Sequence, residues 1–371
     1  MSKVKEFCKR KNIEVSAKRY GVDALGAMAQ GLFCSLLIGT IIKTLGQQTG
    51  LEMLVDLGGY ATAIGQQAGI EFLVNIGTYA SQMAGPAMAC AIGFALQADP
   101  LVLFSLIAVG FSANELGGAG GPLAVLVIAV IAAELGKAVS KETKIDILVT
   151  PAVTILAGVG LSYAIAPPIG AAAISVGQVI MWATELQPFL MGILVSVIVG
   201  IALTLPISSA AICAALGLTG LAGGAAVAGC CAQMVGFAVM SFRENRWGGI
   251  ISQGLGTSML QMGNIVKNPR IWIAPTLASA ITGPLATCVF HFEMNGAAVS
   301  SGMGTCGLVG QIGVYTGWVS DIAAGTKAAI TPMDWAAMIL LCFVLPAMLS
   351  VLFCEAERKL GWIKDGDLKL N

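Results

Sequence analysis

The chain has 371 residues, 57% of them hydrophobic and only 11% charged, and its 20 basic and 20 acidic side chains leave a formal net charge of zero. A soluble domain carries about 25% charged residues, so this chain lacks the charge to cover a water-facing surface. Zero net charge without a long basic block speaks against nucleic acid as a partner. One histidine among ten scattered cysteines, with no C-x-x-C pair, speaks against a zinc site.

The composition predicts an all-α integral membrane protein, a single polytopic domain over residues 1–371. A hydrocarbon core of about 30 Å needs roughly 20 helical residues. Apolar runs near that length lie at 22–45, 82–98, 100–114, 119–138, 146–166, 187–206, 222–242, 270–290 and 334–355. Shorter or glycine-broken runs lie at 46–80, 168–185, 207–221, 248–266 and 296–320. The expectation is about nine or ten spans plus re-entrant or interfacial half-helices.

Residues 1–20 form a basic head with Lys3, Lys5, Lys9, Arg10, Lys11, Lys18 and Arg19. No small-residue cleavage site follows, so 22–45 reads as a retained span rather than a signal peptide. Next comes a duplication: GQQTGLEMLVDLGGYA at 46–61 and GQQAGIEFLVNIGTYA at 65–80, identical at ten of sixteen positions. Each copy is short and polar. The segment 46–81 therefore reads as paired amphipathic helices on the outer face, either a packing hairpin or a rim over a cavity.

Further along, polar groups interrupt apolar stretches at three places, which lipid tolerates only where protein or water surrounds them. The first is Ser112 to Pro122, where Asn114 and Glu115 precede a glycine cluster that lets a ligand or another backbone come close. The third is the amide-rich region Arg243–Arg270, with Gln253, Ser258, Gln261, Asn264 and Asn268, read as a half-membrane or interfacial helix. Between them in importance, though last along the chain, is His291-Phe292-Glu293-Met294-Asn295-Gly296 followed by Ser300 and Ser301. Gly304, Gly307, Gly310 and Gly313 then recur every third residue, which disfavours a free-standing helix and suits a re-entrant hairpin.

The candidate substrate-binding residues are accordingly Asn114, Glu115, His291, Glu293, Asn295, Ser300 and Ser301. Carboxylate and carboxamide groups offer the acceptors and donors that a hydroxylated ligand requires. A buried Glu115 or Glu293 would further allow proton coupling. No nucleophile–base pair, metal set or phosphate-binding loop stands out, so neither a catalytic site nor a cofactor is expected. Basic residues concentrate in the head, at 137–144, at 243–270 and in the tail 356–371, which predicts both termini in the cytoplasm. Gly220 with Gly224, and Gly158 with Gly160, read as helix-packing positions.

The runs GVDALGAMAQGLFCSLLIGTIIKTLG, KNPRIWIAPTLASAITGPLATCVF and MNGAAVSSGMGTCGLVGQIGVYTGW resemble the membrane IIC family of the bacterial phosphotransferase system. Within it, they are most similar to the branch that includes the perfringolysin O regulator. The resemblance implies a fold of about ten helices with re-entrant hairpins in the bacterial cell membrane, surrounded by lipid and assembled as a homodimer. It also implies a sugar-type small polar ligand and separate IIA and IIB phosphotransferase partners. A sensor without transport, or a transporter driven by an ion gradient, are the alternatives.

Overall fold

A computed structural model describes residues 3–32, 34–35, 38–39, 42 and 63–370. The first copy of the duplication, 46–61, lies outside them. In chain order the α-helices are α1 (Lys3–Arg10), α2 (Ala24–Leu32), α3 (Ala63–Gln82), α4 (Ala84–Ala95), α5 (Pro100–Gly117), α6 (Gly121–Val139), α7 (Asp146–Thr184) and α8 (Pro188–Thr204). They continue as α9 (Ser209–Leu216), α10 (Gly220–Met240), α11 (Phe242–Ile251), α12 (Met262–Lys267), α13 (Ile273–Pro284), α14 (Val309–Ala323), α15 (Pro332–Ile339) and α16 (Leu345–Lys359). The second copy of the duplication sits inside α3, one helix of 20 residues rather than a half-length piece.

Five continuous helical segments are long and apolar enough to cross a membrane: Pro100–Val139, Asp146–Thr184, Gly220–Met240, Pro269–Val289 and Pro332–Lys359. The first of these is two antiparallel limbs. Gly118 takes φ 50° and ψ −120°, which a side chain would resist, and turns α5 back into α6. A Cβ on Gly136 near the end of α6 would accordingly meet Val102 at the start of α5.

Where the sequence predicts separate pieces at 146–166 and 168–185, the structure has one helix, α7, of 39 residues. Pro167 and Pro168 lie inside it without ending it. A membrane helix tolerates proline when neighbouring packing re-satisfies the freed backbone groups. At 1.5 Å per residue α7 is about 58 Å long, well beyond one hydrocarbon thickness. Its buried stripe runs Thr150, Thr154, Gly158, Ser162, Ala166, Gly170, Ala173 and Gly177, small residues almost all four apart that admit α5 and α6 closely. Its opposite flank exposes Ile147, Leu148, Leu156, Tyr163, Ile174 and Trp182. The predicted span 146–166 and the shorter piece 168–185 are thus one element, because periodicity does not register a helix that continues through a proline pair.

The basic segments collect at one end. Lys137 donates to the carbonyls of Asn12 (2.7 Å) and Leu96 (3.1 Å). Arg10 pairs with Glu142 at 2.9 Å, and Lys141 pairs with Asp99 at 2.6 Å. Arg358 pairs with Glu244 at 2.7 Å, and Val266 packs against Gly21. Head, 137–146 loop, 243–270 region and tail are therefore neighbours. The far end of the molecule is reached along α10, whose 21 residues span about 31 Å.

Three chain reversals fill the space around α10. From the far end, α8 descends until Thr204 is beside Gln233, and α9 returns toward Gly220, with Ser209 donating to the Gly302 carbonyl at 2.7 Å. From the basic end, residues 249–267 rise until Ser258 is 2.8 Å from Thr204 and then go back as α12. The third reversal is the hairpin described next.

Candidate ligand site at the feet of a re-entrant hairpin

The glycine-rich stretch from Gly296 onward forms a hairpin that enters from the far end. Its descending limb runs to Gly304, whose backbone lies against Cys230 and Cys231 at the middle of α10. Gly304 and Gly307 both take φ 53°, and Leu308 takes φ 59°, so the reversal uses left-handed backbone at three positions. The returning limb is α14. A Cβ on Gly313 would strike Ser300, and one on Gly317 would strike the Asn295 backbone. Of the four every-third glycines, Gly304 and Gly307 thus form the reversal, while Gly310 and Gly313 let the returning limb close on the descending one.

Gly220 and Met294 exchange two backbone hydrogen bonds, 2.9 and 3.0 Å, pinning the hairpin's start to the start of α10. Gly220 has φ 64°, so its role is conformational. Gly224, one turn on, is a close-approach position: a Cβ there would collide with the Phe292 carbonyl. The predicted packing pair therefore divides into a turn glycine and a contact glycine. Gly158 likewise is packed against Val109, while a Cβ on Gly160 would meet open space.

The two feet of the hairpin and the loop after it enclose a cavity of about 420 Å³. Its lining includes His291, Glu293, Asn295, Trp318, Asp321, Lys327 and Asp334. The Asn295 amide donates to Glu293 at 3.0 Å and to Asp321 at 2.9 Å. Asp334 is occupied on both oxygens, capping α15 through Thr331 and pairing with Lys327 at 2.8 Å. Lys327 also stands over the Trp318 ring at 5.9 Å, and Trp335 meets that ring edge-on at 5.5 Å. The result is an acidic, amide-bearing wall backed by a largely buried indole, with one cation already paired. Such a lining can accept hydrogen bonds from hydroxyls through its carboxylates and donate or accept through its amide.

Of the residues singled out from sequence, the structure brings His291, Glu293 and Asn295 together here. Ser300 and Ser301 are buried lower in the hairpin, where Ser301 donates to the Leu218 carbonyl at 2.6 Å. Asn114 and Glu115 are elsewhere, on the last turn of α5, with Asn114 packed on Gly85 and Gly121. Glu115 and Glu293 are both exposed, so the burial on which proton coupling would depend is met at neither. Trp318, Asp321, Lys327 and Asp334 were not singled out. The T-P-x-D helix start at Thr331–Asp334 and the aspartate closing an apolar run at 321 are the signals that could have marked them.

The amides of the 243–270 region face a different object. Gln253 donates to Ser241 at 2.8 Å, Gln261 to Gln253 at 2.8 Å and Asn264 to Gln261 at 2.8 Å, a continuous chain at the basic end. Among the described residues no group of three or more His, Cys, Asp or Glu is arranged to hold a metal ion.

A family model described as "Phosphotransferase system, EIIC" matches residues 22–370. No curated protein and no solved structure matches the chain. With long apolar helices throughout and a match over nearly its whole length, this multi-pass membrane protein belongs to the EIIC family of the phosphotransferase system.

Proposed function

We propose that the chain translocates a neutral polyhydroxylated metabolite, a sugar or polyol, which it first engages in the cavity at the hairpin feet. The observation that carries this reading is the pairing of Glu293, Asn295 and Asp321 with the Trp318 ring around one space of sugar size. EIIC membership implies in general a sugar substrate and IIA and IIB partners. Basic residues favour the cytoplasmic side, which makes the cavity end the outer one and the gathered basic segments the face offered to soluble partners.

Binding raises apparent stability by mass action, about 2.7 kcal/mol at a hundredfold excess over Kd. Thermal unfolding of the purified protein across a panel of sugars, polyols, sugar acids and nucleosides therefore tests the reading. The expected result is a shift with one or a few neutral polyols, lost in Asn295→Ala. A silent panel on folded protein would overturn it. The similarity of three sequence runs to the regulator branch adds sensing as a second role. Uptake into vesicles by a protein that binds its ligand separates translocation from sensing.

A further inference from the structure

The amide chain at the basic end does not stop at Asn264. Gln261 and Asn245 both donate to the Leu368 carbonyl, at 2.9 and 2.8 Å, and Asn264 donates to the Lys369 carbonyl at 2.9 Å. Leu370 N donates back to Asn245 at 2.8 Å, and Asn268 donates to the Trp362 carbonyl at 2.9 Å. Ile363 and Leu368 are buried in the same apolar cluster as Met259, Met262, Ile265 and Ile271. Side-chain amides thus read the backbone of residues 362–370 as they would a bound peptide, with two apolar anchors beneath.

What this segment grips is poorly held by its own backbone. Residues 252–267 form a π-helical turn (Ser252–Gly256), a 3-10 turn (Ser258–Gln261) and the six-residue α12. Short turns of these types have weak internal hydrogen bonding, so their position depends on side-chain partners. The tip of this reversal, Gly256, Thr257 and Met259, walls a small void of about 70 Å³. The opposite wall includes Leu203, Met303 and Cys306, from the α8 turn and the hairpin tip. The void is where the reversals from both ends of the molecule meet.

We infer that residues 362–370 are a latch: by occupying the amide ladder they hold the 252–267 reversal against the central void and close it toward the basic end. Release of the latch opens that side. The control acts on access and is independent of which ligand the outer cavity takes.

The test uses Cys306, which lines the void and is buried. Asn264→Asp and Asn245→Asp are near-isosteric and set a carboxylate oxygen against the Lys369 or Leu368 carbonyl. N-ethylmaleimide modification of Cys306, followed by peptide mass spectrometry on the detergent-purified chain, is expected to quicken about fivefold in Asn245→Asp, as loss of one hydrogen bond of ordinary net strength from an opening equilibrium implies, and more in Asn264→Asp, whose amide also donates to Gln261. A chain truncated after Gly361 should show the same rise, and an excess of a synthetic peptide of residues 362–370 should reverse it. Unchanged Cys306 reactivity in folded aspartate variants would overturn the latch. So would an equal rise at Cys213 and Cys342, since that means general loosening. If the truncated chain does not fold, the two aspartate variants decide.

Discussion

Asn295 and Asp321 are 26 residues apart and joined by an amide–carboxylate hydrogen bond of 2.9 Å that ties the descending limb of the hairpin to its returning limb. The same amide nitrogen lies 3.0 Å from Glu293, so one neutral donor holds two acidic groups at the mouth of the cavity. Neither carboxylate has a salt-bridge partner among the described residues, which makes the amide the element that keeps them near each other.

Asn295→Asp replaces that donor by a third carboxylate. Like charges at hydrogen-bond distance repel, so the variant should unfold at lower temperature than the parent at neutral pH. Lowering the pH protonates the group and relieves the repulsion, so the difference should shrink as the pH is taken from 7 to below about 4. Differential scanning fluorimetry at both pH values checks the sign. A constant difference would mean that the bond is not an electrostatic tie.

Helix contact through glycine gives a paired prediction. Gly224→Ala forces a methyl into the Phe292 carbonyl, and overpacking of this kind costs about 1–3 kcal/mol or more. Gly160→Ala meets nothing within 4 Å and replaces a helical glycine, so it should be neutral or stabilising by up to about 1 kcal/mol. Unfolding in detergent measures both, and equal effects would refute the division of roles.

Gln233 is fully buried at the level where α8 reverses. Its carbonyl accepts from Trp272 Nε1 at 3.0 Å and from Thr204 at 3.4 Å, and its amide donates to Thr276 at 3.2 Å. Gln233→Leu leaves the indole N–H unpaired and should cost about 1–3 kcal/mol. Adding Trp272→Phe removes that orphan donor, so the double variant should lose less than the sum of the singles.

At the basic end, the Lys141 ammonium bonded to Asp99 holds that carboxyl below the usual aspartate range, with Ser140 adding to the effect and burial opposing it. A carboxyl lowered on folding contributes stability above its unfolded value of about 3.9, and the contribution disappears as pH falls through the lower folded value. Asp99→Asn should therefore slightly lower the unfolding temperature at pH 7, by an amount that shrinks steadily as the pH is taken below about 3.9. The pair is exposed, so about 1 M salt should also reduce the pH 7 difference.

Much of this was legible locally. The shortage of charge announced a membrane protein because lipid-facing helices need no polar cover. The every-third glycines at 304–313 announced a hairpin because they disfavour a lone helix and invite close backbone contact. His291, Glu293 and Asn295 fall within five residues, so any fold of that stretch keeps them near one another. The α7 helix was misjudged at Pro167 and Pro168 because whether a proline ends a helix depends on what surrounds the freed carbonyls. Neighbours, not the pair itself, settle that.

The sequence by itself determined that the chain is helical, membrane-embedded, and basic in four particular segments, since those properties follow from composition and short-range spacing. Only the tertiary structure decided that Asp321 and Trp318 complete the cavity, that Asn114 and Glu115 stand apart from it, and that Gln261 and Asn264 hold residues 362–370. The meetings among these facts join residues separated by 23 to 107 positions. A hydrogen bond across such a distance leaves no periodic trace in either segment, because each side chain is chosen for a partner that only the folded chain brings within 3 Å.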